Sequence, residues 1–74
     1  MCLAIPMQIK TLTGMTALCE AQGVQREVSL FMLQHEPLAP GDHVLVHVGY
    51  AIQKVSGEEA RLTWELLTEI AEHA

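Results

Sequence analysis

The chain has 74 residues, 50% of them hydrophobic, and four basic against nine acidic side chains leave a formal charge of −5. That length holds one small domain without a large buried active site. A chain this size buries only about 60% of the surface its unfolded form exposes, so the apolar half points to a partner-binding surface or to scattered exposed Ala and Met. The acidic balance argues against a surface that tracks phosphates. Lys10, Arg26, Lys54 and Arg61 are dispersed, and Phe31, Tyr50 and Trp64 are too far apart to make a base-stacking platform, so no nucleic-acid partner is expected. Cys2 and Cys19 are too few for a disulfide framework, which favours reduced thiols and the cytoplasm. The apolar opening Met1 to Met7 lacks a basic flank and stops short of a signal or membrane-crossing segment, so no membrane partner is expected.

Met7 to Leu12 alternates, with Met7 and Ile9 on one face and Gln8 and Lys10 on the other, and Thr13-Gly14 then predicts the turn of a first hairpin. Thr16 to Ala21 is a second short strand, broken by Gln22-Gly23. In the third, Val24, Arg26, Val28 and Leu30 alternate with Gln25, Glu27 and Ser29. Arg26 thereby falls on the apolar face, where an arginine is paired, snorkels at a rim or serves an interaction. Gln34 to Asp42 holds two prolines and a glycine and reads as a loop, with Pro40-Gly41 at the centre of a type II turn.

A fourth strand follows from His43 to Val48, with Val44, Val46 and Val48 on one face and His43, Leu45 and His47 on the other. Gly49 bends the chain into a fifth strand, Tyr50 to Val55. Ser56-Gly57-Glu58-Glu59 has the spacing of a capping box and starts a helix. Ala60, Trp64, Leu67, Ile70, Ala71 and Ala74, joined by Leu66, make its apolar face; Arg61, Glu65, Thr68, Glu69 and Glu72 take the other. The expectation is a mainly β fold, a single domain over 1–74 with a small barrel or curled sheet of about five strands in 1–55. The C-terminal helix in 56–74 either packs on the barrel or is given to a partner.

Two residues stand out chemically. Removal of Met1 would make Cys2 the first residue, with a thiol and a free α-amine on one end. A nearby ammonium lowers a thiol pKa, and a thiolate is both nucleophile and soft ligand. Position alone also allows an idle or buried terminal cysteine. His47 interrupts an apolar strand just before Gly49 and reads either as a satisfied core or rim histidine or as a ligand. Cys19 reads as core, and His35, His43 and His73 as loop or surface positions. Cys2, Cys19, His35, His43 and His47 match no zinc-ligand spacing. A site with one Cys and one His leaves most of a coordination sphere open, which suits a metal in transit with its other ligands brought from elsewhere. No carboxylate pair, phosphate-cradling loop or Ser/His/Asp set is present, so catalysis by this chain alone is not expected.

The motifs Met1-Cys2-Leu3-Ala4-Ile5-Pro6, Gly23-Val24-Gln25-Arg26-Glu27-Val28 and Pro40-Gly41-Asp42-His43-Val44-Leu45-Val46-His47-Val48-Gly49-Tyr50-Ala51 resemble those of the HypC/HupF (HybG) hydrogenase maturation chaperones. The resemblance covers essentially the whole chain, the helical tail least. It implies an OB-fold-like barrel with a C-terminal helix. It also implies a non-enzymatic role in building the iron centre of [NiFe] hydrogenases, with HypD and the large-subunit precursor as partners. Iron carrying cyanide and carbon monoxide would be bound transiently. By position, Cys2 matches the family's N-terminal cysteine and His47 the histidine proposed to assist at the iron. The uncharged arm, Cys2, Leu3, Ala4, Ile5 and Pro6, would be the partner-binding segment. An adaptor that joins HypD to the precursor without holding iron is the alternative. Met7 and His43 depart from the family, which commonly has Gly and an aromatic residue there.

Overall fold

Two-residue reversals with left-handed backbone set the strand order. Gln22 and Gly23 have φ of 54° and 79°, and Val48 and Gly49 have φ of 51° and 82°. Both pairs are therefore type I′ turns, whose twist matches that of the strands they join. The computed structural model describes residues 4–73, with side chains through Ile70. In chain order it contains β1 (Ile5–Thr13), β2 (Thr16–Ala21), β3 (Val24–Ser29), a 3₁₀ turn (Phe31–Leu33), β4 (His43–His47), β5 (Tyr50–Val55) and α1 (Gly57–His73). The strands close into a barrel in the order β1-β2-β3-β5-β4, a mainly β architecture of the OB type with one C-terminal helix.

Four of the five strand contacts are antiparallel; β3 and β5 meet in parallel and pair only at Ser29 and Tyr50. The Ser29 N–H also donates to the Gly49 carbonyl at 2.9 Å, which ties that seam shut. Period-two alternation supplies the core: Met7 and Ile9 from β1, Ala17 and Cys19 from β2, Val28 from β3, Val44 and Val46 from β4, Ala51 from β5, with Leu30 and Leu33 below. Asp42 N–H donates to the Ala39 carbonyl at 3.1 Å across the turn at Pro40-Gly41, as its sequence predicts.

Three expectations change. Arg26 is exposed, not on a buried face, and its Nη1 donates to the Gln25 carbonyl at 2.9 Å. The reason is that β3 pairs with β5 at Ser29 alone, so only Val28 of β3 is buried and the rest forms an uncovered ribbon with β2. Val48 does not continue the apolar face of β4: the type I′ reversal takes it out of the strand and leaves it 77% exposed. β1 also begins at Ile5 rather than Met7, because β4 pairs with Ile5 and Pro6 as well.

The capping box forms as expected, with Glu59 N–H donating to Ser56 Oγ at 3.0 Å and Ser56 N–H to Glu59 Oε1 at 3.2 Å. α1 then lies against β1 and β4 through buried Ala60 and half-buried Thr63, Trp64 and Leu67. Leu66 and Ile70, predicted on the packing face, are exposed; Ala71 and Ala74 lie outside the described side chains. At about 100° per residue, Leu66 lies roughly 110° around the helix from the line of Ala60, Thr63, Trp64 and Leu67, so it faces off the barrel even though Leu67, one residue further on, is half-buried. The helix is not long and apolar enough to cross a membrane.

Candidate functional site

The β1–β4 register runs Gln8 to His43, Met7 to Val44, Pro6 to Leu45 and Ile5 to Val46. Continued by one residue, it sets Ala4 level with His47, the last residue of β4. Pro6 is buried, Ala4 half-buried and Ile5 39% exposed. Cys2 and Leu3 lie outside the described residues.

His47 is half-buried and stands opposite Tyr50, with the Val48-Gly49 turn between them. Its strand lies between β1 and β5, and the turn that follows it is tied to β3 by the bond from Ser29 to Gly49. At this end of the barrel Val48, next in the chain, and Tyr50, opposite in register, are 77% and 48% exposed, and Ile5, opposite Val46, is 39% exposed. An imidazole nitrogen held on such a rim can accept a proton or a metal bond.

The other candidates are elsewhere. Cys19 is fully buried, and desolvation pushes its thiol pKa above the ordinary value, which favours the protonated form and disfavours metal binding. His43 occupies the opposite end of β4, about 13 Å from His47 along the strand. It is half-buried rather than a surface residue, and a Cβ at Gly57 would lie 3.5 Å from its Cε1, so it sits under the start of α1. His35 is exposed in the turn after Leu33, and His73 ends α1. Among the described residues, no three of His, Cys, Asp and Glu come together to hold a metal ion.

Trp64 has a role that helix periodicity does not disclose. Its Nε1–H donates to the Pro6 carbonyl at 2.8 Å, in a part-buried position, and so pins α1 to the base of the N-terminal arm. The signal available beforehand was chemical: a buried tryptophan needs a partner for its N–H. Trp64 also lines, with Ile5, Met7 and Val24, a shallow groove of ≈ 350 Å³ beside the arm. Pro6, counted with the partner-binding arm, has both side chain and carbonyl engaged within the fold, so it anchors the arm.

The model of the HupF/HypC family matches residues 1–67. A hydrogenase expression/formation protein HupF of Bradyrhizobium diazoefficiens is 47% identical over 62 residues, which are 84% of this chain and 61% of that protein. The hydrogenase maturation factor HypC of Azotobacter chroococcum is 39% identical over 75 residues, covering 100% of this chain and 87% of the relative. The HypC of Cupriavidus necator is 39% identical over 71 residues, 95% and 77% of the two chains.

Proposed function

The chain belongs to the HupF/HypC family, and from that premise we propose that it is a cytoplasmic hydrogenase maturation factor, a chaperone and carrier rather than an enzyme. In this reading Met1 is removed and the Cys2 thiolate takes up iron bearing cyanide and carbon monoxide, in complex with HypD. The arm then presents that cargo to the large-subunit precursor of a [NiFe] hydrogenase, and His47 serves as an auxiliary ligand or proton acceptor. The observation that carries the reading is the register of Ile5 against Val46, which brings the base of the Cys2 arm to the rim that holds His47. One thiolate and one imidazole leave coordination positions for ligands that travel with the iron, and weak anchorage is what a cargo site needs.

A Cys2→Ala chain that still matures hydrogenase normally in cells would overturn this reading. The second reading, an adaptor that bridges HypD and the precursor while another subunit holds the iron, draws on the exposed Ile5, Val48 and Tyr50. Infrared spectra of anaerobically purified protein separate the two. Cyanide and carbon monoxide bands in the isolated chain support the carrier, and bands confined to the complex with HypD support the adaptor.

A further inference from the structure

The inner face of α1 is seated on the barrel, but Leu62, Leu66 and Ile70 are 52%, 57% and 54% exposed. Side chains four residues apart stack along one row of a helix, so these three make a continuous apolar ridge about 12 Å long. Single exposed leucines are ordinary; three in line on a helix already seated by its other side form a surface that a partner can cover. At about 100° per residue, Glu58, Glu65 and Glu69 fall in the adjoining row, on the side away from the barrel. All three are exposed. Arg61, the one basic residue among the described side chains of α1, is held by Glu65 at 2.7 Å, so the border of the ridge is net negative.

We propose that this ridge docks an amphipathic helix of another protein whose apolar stripe is bordered by lysine and arginine. A leucine row with a groove on each side accepts the ridges of a second helix, and the glutamate row selects a basic border. A second copy of this chain is a poor occupant, because pairing two ridges brings two glutamate rows within about one Debye length in a molecule of charge −5. An anionic membrane is repelled by the same row. The proposal involves neither Cys2 nor His47.

The full chain, labelled with ¹⁵N, is titrated with a synthetic helix of about 18 residues carrying leucines on one face and lysines on its border, and with a control in which glutamates replace the lysines. The expected result is amide shifts confined to residues 58–70 with the lysine peptide only. Affinity falls at least fivefold between about 50 and about 300 mM salt. Leu66→Asp weakens it by about tenfold or more, and Leu66→Ala weakens it in the same direction while keeping the fold beyond question. Cys2→Ala leaves this binding unchanged, which separates the result from the fate of the iron-carrier reading. Shifts spread over the barrel, equal binding of the glutamate peptide, indifference to both Leu66 variants, dimerisation in sedimentation that Leu66→Asp abolishes, or capture by phosphatidylglycerol vesicles would each overturn the proposal.

Discussion

Trp64 donates its indole N–H to the carbonyl of Pro6 at 2.8 Å, across 58 residues of sequence, and thereby joins the C-terminal helix to the strand from which the Cys2 arm departs. Arm and helix are thus linked through one part-buried bond rather than through packing alone.

Removing that donor while keeping an aromatic ring, Trp64→Phe, leaves the carbonyl without its partner. The expected loss is about 1 kcal/mol, read as a melting temperature lower by roughly 4–8 °C. If Trp64 positions the arm, the amide resonances of Ala4 and Ile5 shift in this variant while those of β2 and β3 stay in place. A melting shift with no change at Ala4 and Ile5 would reduce the bond to a structural one.

Val48 carries a β-branched side chain in the left-handed region, φ 51°, where such residues are strained. Val48→Asn places the preferred Asn-Gly pair in a type I′ turn and is expected to raise stability by about 1 kcal/mol in urea unfolding. If the exposed valine contributes to a partner contact, the same variant matures hydrogenase less well. Gain in stability with loss of function is an outcome that a purely structural role for Val48 does not produce.

Burial of Cys19 favours its neutral thiol in the fold, so the folded pKa lies above that of the unfolded chain. Its contribution is fully present below the unfolded value and is lost as pH rises through the folded one, because the unfolded chain ionises first. Stability should therefore decline between about pH 8 and pH 10 more steeply in the native chain than in Cys19→Ala, when urea midpoints are compared at the two pH values. Parallel declines would show that the fall comes from other groups.

His47 is half-buried at a rim, and His47→Gln keeps a polar side chain of similar reach there. The fold should hold to within about 1 kcal/mol, while hydrogenase maturation in cells falls. A variant that both folds and matures hydrogenase like the parent would leave His47 no part in the site.

Local rules alone already specified much of this molecule. The alternation of Met7 with Ile9 and of Val44 with Val46, the turn at Pro40-Gly41, the reciprocal bonds of Ser56 and Glu59, and the buried place of Cys19 all follow from side-chain period or from contacts within a few residues. Cys2 and His47 stood out in the sequence by position, one behind Met1 and the other ahead of Gly49 in an apolar strand. The register that sets Ala4 level with His47 was not legible. It depends on β1 pairing with β4, and Ile5 meets Val46 only when the barrel closes. The same dependence on distant partners decided that Arg26 faces water, that His43 sits under α1 rather than near His47, and that Leu66 and Ile70 stay uncovered. A strand's or helix's own periodicity states which side chains share a face, but whether that face is buried depends on how far the neighbouring element extends.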